Sequence, residues 1–335
     1  MPSCDLIISG ARVIDGSGGK SRVTGVAVDR GRIVDLGDCR QWRPDTRIDA
    51  DGLALAPGFI DSHTHDELAV LETPALECKL SQGVTTVIAG NCGISLAPLR
   101  VDGPMPPPFP LLGGWQHFRY PSVADYRAVL ADRPPAVNLA LLAGHSSLRL
   151  GCMPDRLERE ADETAIDAMQ EKLRTALREG CIGLSTGLTY PPATAASTEE
   201  IVSLASVLRE FDKAVYATHM RNEGDRVVEA VAEALDIGTR ARVPVIISHH
   251  KCAGAENYGR SRDTLALIDR ARQARQAVSF DVYPYTASST SLLPQFVREA
   301  ESVLVAESEP HPECNGIMLD RIAADWNCST AEACE

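Results

Sequence analysis

The chain has 335 residues, 44% of them hydrophobic, with 46 acidic against 33 basic side chains and a net charge of −13. That length buries a substantial core in one large domain with appendages, while the acidic excess and a 5% aromatic share argue against nucleic acid or an anionic membrane as partner. No stretch is long and apolar enough to cross a bilayer, no basic start and apolar run marks a secretory leader, and the ten cysteines are scattered rather than paired into a disulfide framework. The expectation is a cytoplasmic metabolic protein with reduced thiols, of open oligomeric state.

Residues 5–56 alternate apolar and polar positions with Gly and Asp punctuation, which predicts a small antiparallel β unit with a hairpin at Asp29–Gly31. From Phe59 the rhythm changes. Apolar runs at 59–65, 85–90, 138–144, 181–187, 214–220, 244–250 and 278–284 read as parallel strands. The segments between them, such as ETAIDAMQEKLRTALREG and RVVEAVAEALDIGTRA, are amphipathic at helical period. Buried apolar strands alternating with helices predict an α/β fold of the TIM-like barrel type, here with about seven strands, one short of closure. The segment 102–115, DGPMPPPFPLLGGW, is expected to be loop. Beyond Pro294 the alternation stops, and 296–307 and 316–326 read as helices. The predicted divisions are a β-sandwich-like N-terminal domain at 1–57, the barrel at 58–290 and a helical, lid-like segment at 291–335.

Four of the eight histidines fall at the C-terminal ends of predicted parallel strands: His63 and His65 on the first, His219 on the fifth and His249 on the sixth. In a parallel barrel all strands end on one face, so these imidazoles can converge there. His63 and His65 stand two apart, which on a strand points them the same way toward one ion. His250 then faces away from His249 and reads as structural. His145 reads as structural or as a group orienting a ligand. His117 and His311 carry no assigned role.

The runs APGFIDSHTH and GVTTVIAGNCG, followed by AGHSSLR, GLSTGLTYPP, THMRNE, SHHK and SFDVYPY, resemble the N-acyl-D-amino-acid deacylase (D-aminoacylase) family of the amidohydrolase superfamily across residues 5–290. The resemblance implies zinc-dependent hydrolysis of a small-molecule N-acyl-D-amino acid to a carboxylate and a D-amino acid. It implies Cys92, His219 and His249 as ligands of a tightly held Zn2+, with His63 and His65 forming a weaker site that shares Cys92. It also implies Lys251, Tyr283 and Ser289 as contacts to the substrate's carboxylate and carbonyl region, with Tyr190 as a further donor.

In that family the general base is an aspartate ending an eighth barrel strand, and no position of this chain matches it, so the catalytic residue is unassigned and the resemblance implies a C-terminally truncated relative. Asp281 is read as lying inside the seventh strand, and Asp320 and Asp325 as helix-surface acids. The alternatives are a non-catalytic zinc-binding fragment and an amidohydrolase acting on a cyclic amide, of the dihydroorotase or hydantoinase kind. Those relatives bridge two metals with a lysine on the fourth strand, and CIGLSTGL contains none.

Overall fold

The computed structural model describes residues 1–334. They fall into two compact units, Met1–Phe59 and the chain from Ile60 onward.

The first unit is one five-stranded sheet: β1 (Ser3–Val13), β2 (Arg22–Asp29), β3 (Arg32–Gly37), β4 (Arg43–Asp49) and β5 (Ala54–Leu55). The order is β3-β2-β1-β4, with β5 also on β1. Arg30 and Gly31, at φ +49° and +70°, form the two-residue hairpin between β2 and β3, both in the left-handed region that a type I′ turn requires. The sheet is mixed rather than antiparallel, because β4 and β5 run parallel to β1. Two antiparallel pairings leave β3 running in the direction of β1, and the chain then crosses to the opposite edge of β1. Cys4, Ile7, Ala27 and Cys39 form its buried cluster.

The second unit contains the predicted half-barrel. Its curled sheet has seven strands: β6 (Phe59–Asp61), β7 (Val84–Ala89), β8 (Asn138–Gly144), β9 (Gly183–Gly187), β10 (Val215–His219), β11 (Val245–Ile247) and β12 (Val278–Phe280). They lie side by side in chain order, with parallel pairing from β7 to β12. Helices connect them: α1 (Val123–Asp132), α2 (His145–Cys152), α3 (Glu163–Arg178), α4 (Thr198–Ser206), α5 (Val227–Ala241) and α6 (Ser261–Gln273). Ser122, Asp162 and Ser197 cap α1, α3 and α4 by accepting from the backbone N–H three residues on, which satisfies an otherwise unpaired helix-start donor. α3 buries Ala165, Met169, Leu173, Ala176 and Leu177, a stripe at helical spacing.

Most strands are shorter than their apolar runs. β6 stops at Asp61, β11 at Ile247 and β12 at Phe280, so the polar residues that follow leave the hydrogen-bond ladder and gather at the sheet's C-terminal end. His63 and His65 therefore sit in irregular backbone after β6 rather than on it. The proline-rich segment includes a 3-10 turn, Phe109–Leu112, whose end residues are buried. Beyond Pro294 the expected first helix ends early: α7 is Pro294–Glu299, and Leu304–Val305 pairs antiparallel with Ile317–Met318 before α8 (Leu319–Trp326). Val305, Cys314, Leu319 and Ile322 pack as a small cluster of their own, so burial decides the local structure there over helical period. Among the described residues no helix is long and apolar enough to cross a membrane.

Close strand packing places glycine inside β9: a Cβ at Gly183 would overlap the Val215 carbonyl oxygen on β10. Gly183→Ala is expected to cost about 1–3 kcal/mol, as overpacking does, and to lower the thermal midpoint. An unchanged midpoint would contradict this packing.

Candidate metal centre

Five of the seven strand ends deliver polar groups to a common cavity of 1130 Å³. His63 and His65 follow β6, Cys92 follows β7, His219 ends β10, His249 follows β11 and Asp281 follows β12. Cys92 Sγ lies 3.3 Å from His63 Nε2 and 3.4 Å from His249 Nε2. The His219 and His249 ring centroids are 4.4 Å apart. Two sets of donors lie within 4.8 Å of one another, His63–Cys92–His249 and His219–Glu223–His249. His249 is common to both sets. His65 also lines the cavity, its ring 5.7 Å from that of His63, but belongs to neither set.

Burial makes this cluster fit a cation. His219 is buried and neither of its ring nitrogens has a hydrogen-bond partner, and His65 Nδ1 is also unpartnered. Unpaired buried polar atoms are costly, and a bound ion would satisfy them. Burial lowers the His219 and His249 pKa values and pushes His65 down to about 3, so the rings are neutral, the form that ligates metal. Burial first, then the negative charge of Glu223, raises the Cys92 thiol. A divalent cation supplies the charge that stabilises the thiolate there. Thiolate with imidazole suits a borderline-soft ion.

Two of the donors are held in a costly backbone conformation. Cys92 has φ +54° and His249 φ +36°, positions that cost a non-glycine residue about 1–3 kcal/mol and persist where surrounding structure enforces them. Asp281 enforces the second: its Oδ1 accepts the His249 backbone N–H at 2.6 Å and lies 3.3 Å from His63 Nδ1. Burial alone would raise the Asp281 carboxyl, but His63 and the His249 N–H bring it below its ordinary value. The sequence reading placed Asp281 inside a strand; it lies just past the strand end, in the cavity.

Tyr190, Lys251, Tyr283 and Ser289 all line the same cavity. Tyr190 packs its ring 4.9 Å from that of His219, and its hydroxyl is 2.9 Å from Thr290 Oγ1. Lys251 Nζ stands 5.5 Å from the Tyr283 ring centre and donates to Glu223 Oε1 at 2.7 Å. Glu223 is the residue that sequence reasoning missed. Its Oε1 also lies 2.8 Å from His249 Nδ1, and its carboxylate comes within 3.7 Å of His219 Nε2. Burial would raise its carboxyl, yet His219, His249 and Lys251 hold it well below the usual carboxylate range. The signal was its place four residues after His219 in THMRNE.

Residues 46–303 match the amidohydrolase family. The chain is 46% identical to D-aminoacylase of Alcaligenes xylosoxydans xylosoxydans and 47% identical to N-acyl-D-aspartate deacylase of the same organism, over 96% of its own length in each case. It covers 66% and 64% of those proteins, so it spans about two thirds of the length of the curated relatives it matches. It superposes with a TM-score of 0.93 and 41% identity on the N-acyl-D-glutamate deacylase of Bordetella bronchiseptica, solved with zinc and a phosphonate mimic of the tetrahedral intermediate, covering 99% of this chain and 69% of that one. The chain belongs to the N-acyl-D-amino-acid deacylase family of amidohydrolases.

His145, Arg149 and Glu200 of this deacylase-family chain form a buried network outside the cavity lining. His145 Nε2 lies 2.8 Å from Glu200 Oε1, and Arg149 donates to both Glu200 oxygens at 2.7 and 2.6 Å, all three side chains being fully buried. Burial would raise Glu200, but His145 and Arg149 bring it down to about 2. His250 is buried against Phe280, 2.9 Å from Thr264 Oγ1. Arg221 lines the cavity but is engaged by Glu233 and the Thr194 and Ala196 carbonyls. His117 and His311 lie outside the cavity, as do Asp320 and Asp325.

Glu200→Ala is expected to destabilise the protein by about 3–5 kcal/mol, because it leaves the Arg149 guanidinium buried without its carboxylate. Denaturant unfolding measures this, and a wild-type midpoint would contradict it.

Proposed function

We propose that this chain binds zinc in the cavity and hydrolyses N-acyl-D-amino acids to a carboxylate and a D-amino acid. The observation that carries the reading is the convergence of the Cys92 thiol with the His63 and His249 imidazoles inside 3.4 Å, in a chain whose relatives are named as deacylases of D-amino acids. His63, Cys92 and His249 would hold the ion, with His219 supplying a further imidazole and His65 standing beside them. Bound zinc supplies a Lewis acid for the acyl carbonyl and lowers the pKa of a water.

The chain's own side chains bind and orient. Lys251 Nζ gives one N–H to Glu223 Oε1 and one to the His249 carbonyl at 3.1 Å. Nζ also lies 3.0 Å from His249 Nδ1; with that nitrogen giving its proton to Glu223 Oε1, the ammonium's third N–H is left for the substrate's α-carboxylate. Tyr283 and Ser289 add hydroxyl donors on the same side of the cavity. Burial, with Cys92 nearby, raises the Tyr190 phenol, which keeps it protonated as a donor to the substrate carbonyl region. Glu223 accepts from the His249 ring and from Lys251, tying a metal-side group to a substrate-side group. Asp281 holds His63 and the His249 backbone in register.

The purified chain loaded with zinc is expected to release D-methionine alone from racemic N-acetyl-methionine, resolved by chiral chromatography. Release of the L product, or no release while zinc stays bound, would overturn the assignment.

A further inference from the structure

The turn that presents Cys92 is bridged by a side chain from another strand. After β7, Gly90 has φ +80°, and Cys92 and Gly93, at φ +54° and +77°, are the central residues of a β-turn in which the Ile94 N–H donates to the Asn91 carbonyl at 3.2 Å. In a closed β-turn the first carbonyl accepts from the fourth N–H. The Ser185 hydroxyl ties this turn to β9: Oγ accepts from Gly93 N at 3.0 Å and donates to the Gly90 carbonyl. Ser185 is fully buried in the middle of β9. Other anchors flank it, and the Gly93 carbonyl accepts from Ser147 N at 3.3 Å. Glu67 Oε1 accepts from Gly90 N at 2.8 Å, and Asn91 Nδ2 donates to the Ile88 carbonyl at 2.9 Å. Glycine admits the loop to this position, since a Cβ at Gly187 would overlap the Cys92 carbonyl oxygen.

We propose that Ser185 is the positioning residue for Cys92. Its bridging hydroxyl fixes the Asn91–Ile94 turn against β9, and so sets where Cys92 Sγ stands relative to His63 and His249. Without it, Gly90 O and Gly93 N have two courses. They stay unpaired in a buried place, which is unfavourable, or the turn shifts against β9 to find other partners. The first course loosens the anchor that places the thiol, and the second carries it off the imidazoles. The inference rests on Cys92 being a metal ligand.

The test uses the full chain titrated with cobalt(II), whose thiolate-to-metal charge-transfer absorption reports a sulfur ligand and whose visible bands report binding itself. Wild type should show both, and Cys92→Ala should lose the charge transfer. Ser185→Ala should bind cobalt about 10–100-fold more weakly, the usual loss when a group orienting a ligand is removed, with a diminished charge-transfer band. Ser147→Ala is the control. Its hydroxyl is equally buried, accepts from Ser95 N at 2.8 Å and donates to Ser95 O at 3.0 Å, so it removes the same kind of bond three residues beyond Cys92. It should lower the melting temperature and leave affinity and charge transfer at wild-type values. If Ser185→Ala does not fold, the isosteric pair Ser185→Thr and Ser185→Val makes the same comparison, with only the threonine expected to retain the band. Wild-type affinity and band intensity in Ser185→Ala, or an equal loss in Ser147→Ala, would overturn the proposal. A wild-type protein that binds cobalt without charge transfer would instead overturn the ligand role of Cys92 on which it stands.

Discussion

The arrangement at the C-terminal end of the sheet depends on one constraint, a buried thiol in a left-handed turn facing two imidazoles. Cys92 is held at φ +54° with its sulfur 3.3 Å from His63 and 3.4 Å from His249. Such a conformation is uphill for any residue with a Cβ, and burying an ionisable thiol disfavours its charged form. Both costs become sensible when the turn's purpose is to present sulfur to an ion. The neighbouring groups fit the same purpose: neutral imidazoles, two unpaired nitrogens on His219, and the carboxylates of Glu223 and Asp281, each touching a histidine.

Those carboxylates do different work from one another. Asp281 accepts a backbone N–H and faces the His63 ring, and so fixes where the chain leaves β11. Glu223 receives both a metal-side imidazole and the ammonium of Lys251. In this way one buried acid orients the His249 ring and the Lys251 ammonium together. An Arg149–Glu200–His145 network lies fully buried away from the cavity; it secures helices α2 and α4 rather than taking part in chemistry.

The sequence made the strand–helix alternation legible because apolar runs and helical stripes survive in local patterns, and His63, His65, His219 and His249 stood out because they recur at equivalent strand ends. Glu223 did not. A glutamate after an arginine and an asparagine looks like an ordinary loop acid until folding brings it beside His249 and Lys251. Asp281 was misread because β12 ends at Phe280, and a strand's last ladder bond is set by its neighbours rather than by its own residues. The parallel entry of β4 was equally invisible, since alternation records which face is buried and not the direction of the partner strand. Which donor atoms approach one another around His249 depends on rotations about side-chain bonds that no spacing rule encodes.

The measurement that bears most directly on this account is zinc K-edge X-ray absorption of the purified, zinc-loaded chain. The account predicts a mixed shell, with one sulfur at about 2.3 Å and nitrogen donors at about 2.0–2.1 Å. A shell of nitrogen and oxygen alone would show that Cys92 does not bind the ion and would contradict the account.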